Sequence, residues 1–176
     1  MKILLTEAQV HEGIDRMAGE IHKYYDGKPL TLIGVMIGSI TVVADLIRKL
    51  DTSVRVGMLQ ARCDHEKGVC FGPLVIDEDL LSFGVNGRHV LLVDDIFHTG
   101  HTLWDLIPQI DELKPASVRS AVLLQKEGQC EVSMKPDFVG FTIPNEFVVG
   151  CGLDYHDRYR NLPYIAALEK QELEQP

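Results

Sequence analysis

The segment Val90-Leu91-Leu92-Val93-Asp94-Asp95-Ile96-Phe97-His98-Thr99-Gly100-His101-Thr102-Leu103 sets two carboxylates behind an apolar run and follows them with a bend rich in hydroxyls and glycine. Such a run is the pattern of a strand covered on both faces, and open α/β sheets bind ligands beyond the carboxyl ends of their strands. Two adjacent acids at that edge can accept hydrogen bonds from a vicinal diol, and their charge favours a nearby Mg²⁺. The bend supplies a different chemistry. Gly100 lets the backbone approach closely, Thr99 and Thr102 offer hydroxyls, and the unpaired N–H groups of a helix start point at an anion. Diol acceptors followed by an anion cradle describe a ribose 5-phosphate. Two other readings share parts of the string. A strand ending in Asp-Asp also opens phospho-acceptor receiver domains, although there the pair lies near the chain start. Asp94 alone could also cap the following helix.

The elements that must position these residues are legible from periodicity. Thr6 with Gln9 three residues on forms a capping box. Val10, Ile14, Met17, Ile21 and Tyr24 then recur at helical steps until Asp26-Gly27 and Pro29 end the helix. Residues 30–36 read as a doubly covered strand. Gly38-Ser39 leads into a second helix with Ile40, Val43, Ala44, Ile47 and Leu50 facing inward. Residues 54–59, 74–76, 89–93 and 118–124 read as further strands, and Leu103 to Leu113 as a third helix. Residues 62–73 read as a mobile loop, and 94–100 as a loop. The alternation of strand and helix implies an α/β fold, a parallel twisted sheet flanked by helices. After Gln125 the rhythm breaks into short strands, prolines and glycines. The whole of 1–176 therefore reads as one domain, with 126–164 forming most of a small C-terminal hood and the residues from Glu169 onward a frayed acidic tail.

Composition narrows the partners. The chain has 176 residues, 45% hydrophobic and 24% charged, an ordinary globular balance. Its net charge of −9 argues against a nucleic-acid groove. The four cysteines lack CxxC spacing and read as free thiols of a reducing compartment. The first residues turn acidic too soon for a signal peptide, and no apolar run approaches a membrane span. A cytoplasmic location is expected, with no nucleic-acid or membrane partner.

Over residues 3–168 the chain resembles the type I phosphoribosyltransferases, and within them the hypoxanthine-guanine phosphoribosyltransferases. The acid pair and the bend after it resemble that family's motif for 5-phosphoribosyl 1-diphosphate (PRPP). Leu32-Ile33-Gly34-Val35-Met36-Ile37-Gly38-Ser39, with Ala44-Asp45-Leu46-Ile47-Arg48, resembles its pyrophosphate loop and helix. Lys135-Pro136-Asp137-Phe138-Val139-Gly140-Phe141, Ile143-Pro144 and Phe147-Val148-Val149-Gly150 resemble its base-binding segments. Gly152-Leu153-Asp154-Tyr155 and Tyr159-Arg160-Asn161-Leu162-Pro163-Tyr164-Ile165 resemble its C-terminal signature.

The resemblance implies Mg²⁺-dependent transfer of a 5-phosphoribosyl group from PRPP to a 6-oxopurine such as hypoxanthine or guanine, as in purine salvage. It places the ribose on Asp94 and Asp95, and the 5-phosphate on His98, Thr99, Gly100, His101 and Thr102. It gives the pyrophosphate to Ile37, Gly38 and Arg160, and the base to Lys135, Phe147 and Val148. Metal would be held by Asp94, Asp95 and Asp154. It also implies a homodimer or homotetramer.

Three working positions depart from the family. His98 stands where an Asp faces the purine, Ile37 where a Lys is usual, and Ala61-Arg62 where a Ser-Tyr pair closes over the site. His98 then either serves as the catalytic proton acceptor, selects a different base, or contributes only its backbone N–H to the phosphate. The alternative to an enzyme of this kind is a PRPP- or nucleotide-binding regulator on the same fold, or a transferase for another base.

Overall fold

A computed structural model describes residues 1–60, 63–64, 69–70 and 84–173. Its centre is a five-stranded parallel sheet built from β2 (Leu30–Met36), β3 (Val54–Gln60), β6 (His89–Phe97), β7 (Ser117–Lys126) and β8 (Phe138–Ile143). The strand order is β3-β2-β6-β7-β8, with every pairing parallel. β6 is the middle strand, so its carboxyl end is flanked on both sides by other strand tips.

Helices α1 (Glu7–Tyr25) and α2 (Ile40–Lys49) cover one face, and α3 (His101–Asp111) covers the other. The capping box of α1 is present, with Gln9 N–H donating to Thr6 Oγ1 and Thr6 N–H to Gln9 Oε1. Side chains alternate across the sheet as the strand period requires. Leu91 and Val93 join the core under α1 and α2, whereas Val90 and Leu92 pack beneath Leu103, Leu106 and Ile110 of α3.

β6 runs four residues further than the apolar run suggests. Asp94, Ile96 and Phe97 pair with Val122, Leu124 and Gln125 of β7, so the segment after Val93 is strand rather than loop as far as Phe97. The ladder to β7 holds the backbone extended whatever the side chains are. This register decides where the acids point. Asp95 continues the parity of Leu91 and Val93, and its carboxylate lies against Gly38 in the turn before α2.

The hood also differs from the expectation of 126–164. Residues 138–143 belong to the main sheet, because β8 pairs with β7 from Ala121↔Phe138 to Lys126↔Ile143. The hood is instead a separate antiparallel sheet of β1 (Lys2–Leu5), β10 (Ile165–Ala167) and β9 (Val148–Val149). The chain's first strand thus completes a lobe otherwise built from its end, a pairing across more than 160 residues that local pattern cannot reveal.

Within the expected loop 62–73, β4 (Cys63–Asp64) and β5 (Val69–Cys70) pair as an antiparallel hairpin. Ala61, Arg62 and the expected strand 74–76 lie outside the described residues. The tail is partly ordered, with α4 (Lys170–Leu173) following β10. No helix among the described residues is long and apolar enough to cross a membrane. Cys130 is an exposed free thiol. Cys151 is a buried one, its pKa pushed up to about 11 chiefly by burial.

Candidate active site

Three chain segments meet at the tip of β6. β2 ends at Met36, and a tight turn through Ile37, Gly38 and Ser39 leads into α2. The Met36–Ile37 peptide is cis. Ser39 is fully buried and donates its hydroxyl to the Val35 carbonyl at 2.6 Å, which fixes the turn against its own strand. Gly38 is needed because Asp95 lies against it: a Cβ there would sit 1.6 Å from Asp95 Oδ2. The third segment is the hood loop after β9. A Cβ on Gly152, at φ +100°, would sit 2.0 Å from the Gly38 carbonyl oxygen. Thr41 of α2 donates to the Cys151 carbonyl at 2.5 Å and ties hood to helix.

Arg160 completes the junction. It donates to the Gly152 carbonyl at 2.8 Å, and pairs with Asp154 at 2.9 Å and Asp157 at 3.2 Å. Its guanidinium also favours the charged form of Asp95. Ile37, Gly38 and Arg160 are therefore brought to the same corner as the acid pair, with Asp154 behind the arginine. Ile37 is 48% exposed, so at this corner the turn offers backbone groups rather than a side-chain cation.

The acids themselves are held at a cost. Asp94 is buried and accepts the Asp95 N–H at 3.0 Å. Burial first, and then the neighbouring Asp95, push its carboxyl well above the ordinary range. Burial raises Asp95 as well, against hydrogen bonds that pull it down. A crowded, desolvated pair of this kind is stabilised by a cation or by diol hydroxyls. Its all-oxygen donor set suits Mg²⁺. Among the described residues no cluster of three or more His, Cys, Asp or Glu could hold a metal unaided. Asp94 and Asp95 fit a metal shared with ligand oxygens, and Asp154 stands apart with Arg160.

Beyond Phe97 the loop into α3 is shaped by packing. Gly100 has φ +92° and serves as N-cap of α3, with no side-chain cap on that helix start. A Cβ at Gly100 would meet Val132 Cγ2 at 2.5 Å and the Phe97 ring at 2.7 Å. Glu131 straps the loop from outside: its N–H donates to the Thr99 carbonyl at 3.0 Å, and its carboxylate meets His101 Nε2 at 3.0 Å. Thr99, Gly100, His101 and Thr102 thus sit together at the α3 N-terminus, as an anion site requires.

The remaining tip contains a residue that motif reading missed. Lys126 ends β7, one step past the Phe97↔Gln125 pair, which places it beside His98. Burial lowers its pKa. His98 is also held below its ordinary value, by burial and then by the Lys126 charge, with Glu131 opposing. Lys135 is not part of this group. It is exposed and precedes Asp137, whose N–H reaches the Ser120 carbonyl at 3.1 Å. At about 3.3 Å per strand residue, that level lies roughly 20 Å below Lys126. The parallel register forces this: β8 must start near the sheet's opposite edge for Ile143 to finish beside Lys126. A lysine at the end of an apolar strand was the available signal, and the rule that sites gather at carboxyl ends would have favoured it.

Phe147 follows β8 and is 42% exposed, with the Tyr155 ring edge-on at 5.3 Å. Val148 is buried in the hood sheet, paired with Ala167.

The family model described as the phosphoribosyl transferase domain matches residues 2–156. The chain belongs to the phosphoribosyltransferase family. It is 38% identical to the hypoxanthine-guanine phosphoribosyltransferase of Streptococcus pneumoniae over 170 residues, covering 97% of this chain and 94% of that one. Identity is 37% with the enzyme of the same name from Lactococcus lactis, covering 97% and 92%. The fold superposes on a hypoxanthine phosphoribosyltransferase crystal structure from Staphylococcus aureus with a TM-score of 0.84 and 30% identity, covering 97% and 92%. A Trypanosoma cruzi hypoxanthine phosphoribosyl transferase gives 0.85 and 33%, with the same coverage. This phosphoribosyltransferase is accordingly a transferase enzyme, and its parallel five-stranded sheet is that of its solved relatives.

Proposed function

We propose that this transferase moves a 5-phosphoribosyl group from PRPP to a 6-oxopurine, releasing pyrophosphate and a nucleoside monophosphate, with Mg²⁺ as its metal. The observation that carries the reading is the convergence on one strand tip of a buried acid pair, a glycine turn pressed against it and an arginine from the hood. Asp94 and Asp95 hold the ribose diol. The backbone amides from His98 to Thr102 hold the 5-phosphate. The Ile37-Gly38 turn and Arg160 face the pyrophosphate, with Asp154 fixing the guanidinium. Phe147 stacks on the base, the Val148 backbone reads its edge, and Lys126, in place of Lys135, donates to its exocyclic oxygen.

A ring nitrogen of the base attacks the anomeric carbon while the C–O bond to pyrophosphate loosens, and the electron pair leaves with the phosphate oxygen. The transition state is oxocarbenium-like, so positioning and neutralisation of departing charge do most of the work. Bound Mg²⁺ supplies charge neutralisation to the diphosphate. Arg160 and the Gly38 turn receive the charge that leaves, and His98 borders the base at a ring nitrogen. Pyrophosphate release from PRPP with a panel of bases, with Mg²⁺ and with chelator, tests this. Release only with both base and metal is expected; PRPP bound without release under any condition overturns it.

A further inference from the structure

Lys126 is the cation at the base end of the site, with the His98 imidazole beside it. Lys126 is half-buried at the tip of β7, and the β6–β7 register sets His98 next to it. Most of the nearby acids have partners elsewhere. Glu131 pairs with His101 and keeps 64% of its side chain in solvent. Asp154 and Asp157 are tied to Arg160, and Glu146 pairs with Lys2 at 3.9 Å. Glu127 is exposed, with its N–H turned to the Ile143 carbonyl. Asp94 and Asp95 lie earlier on β6, at the ribose. Among the described residues the carboxylate that acts on His98 is Glu131, and it is held by His101.

We infer that the transferase takes its acceptor as an anion, a purine of the 2,6-dioxopurine type that ionises near neutral pH, with Lys126 on an exocyclic oxygen and a neutral His98 at the adjacent ring nitrogen. This rests on the phosphoribosyl-transfer reading above. Charge balance favours it. The anion's ring lone pair forms the bond to the anomeric carbon as the C–O pair departs with pyrophosphate. The transferred base ends uncharged, so no proton has to be removed in that step. A carboxylate beside Lys126 would cancel the lysine's charge and suit a neutral base. An imidazole leaves that charge available, and burial, then the Lys126 charge, hold its pKa below the ordinary histidine value.

The test compares xanthine with hypoxanthine by pyrophosphate release at about pH 6 and about pH 8.5, across the range where an imidazole is neutral or charged. The wild-type ratio of kcat/KM, xanthine over hypoxanthine, should rise with pH, and His98→Asp should lower it about tenfold or more. Preference for hypoxanthine at both pH values, with the ratio unmoved by His98→Asp, overturns the inference while leaving transfer intact. Absence of release with every base overturns the transfer reading instead. The charge claim is then read from calorimetric affinities for xanthosine and inosine 5′-monophosphates: tighter xanthosine binding that weakens in His98→Asp supports it, and equal affinities overturn it.

Discussion

The tips of β6 and β7 lie side by side, yet they are opposite in charge and in the way they are held. At Asp94 and Asp95 two acids are buried and crowded, and burial pushes both toward the protonated form. At the other tip His98 is exposed and Lys126 half-buried, and what burial they have pushes both toward the neutral form. Each tip keeps ionisable groups where folding alone would prefer none, and each would be relieved by a ligand of complementary charge. On the proposed function, the sheet would separate the demands of one substrate, with the sugar and metal on the acid tip and the base on the basic one. Proteins commonly give up stability at functional sites in this manner.

The contrast can be broken most severely at the acid tip. Asp95→Asn should lower transfer by about a hundredfold or more, the scale on which catalytic charge stabilisation acts. The same change should raise the melting temperature of the free protein at neutral pH, because a buried charge is removed. Lost activity with lowered stability would show that Asp95 is a structural carboxylate.

At the basic tip, Lys126→Met should cost about ten- to a hundredfold in kcat/KM for the base, as loss of a charged hydrogen bond of about 1.5–3 kcal/mol implies. The KM for PRPP should stay near its starting value. Lys135→Met should change neither. The reverse pattern would return the base contact to the loop before β8.

The link between hood and strand tip is probed by Gly152→Ala. The φ of +100° and the Gly38 carbonyl 2.0 Å from the new Cβ predict a loss of about 1–3 kcal/mol in stability. Chemical denaturation measures it, and an unchanged midpoint would mean that the hood is not locked against the Ile37–Ser39 turn.

The smallest effects lie in the pH dependence of stability, where the two tips have opposite signs. The folded Asp94–Asp95 pair binds protons more tightly than the unfolded chain, so its contribution is greatest in acid and is lost as pH rises above the ordinary carboxylate value of 3.8. His98 and Lys126 bind protons less tightly when folded. Their contributions therefore fall as pH drops below 6.5 for His98 and below 10.5 for Lys126. Melting curves across pH for Asp95→Asn and Lys126→Met, each minus wild type, should slope in opposite directions. Parallel slopes would mean that the tips are not separately poised.

Much of this site was legible in the residues. The apolar run before Asp94, the Thr-Gly-His-Thr bend and the capping box at Thr6 are local patterns, and local geometry is what such patterns encode. Gly38 and Gly152 could be noticed as glycines, but their need is set by Asp95 and by each other, residues more than fifty positions away. Lys135 lies within a motif, whereas Lys126 falls past the expected strand 118–124, at the first position of the expected hood.

By itself the sequence determined the alternation of strands and helices, the acid pair with its anion bend, and the family. The alternation and the acid pair follow from spacing along one segment at a time, and the family from a resemblance carried by several segments in order. The tertiary structure alone decided that β8 joins the main sheet, that β1 closes the hood, and that Lys126 stands beside His98. Strand register is a property of pairs of segments, and a side chain's neighbours across a sheet are fixed by that pairing and not by its own chain.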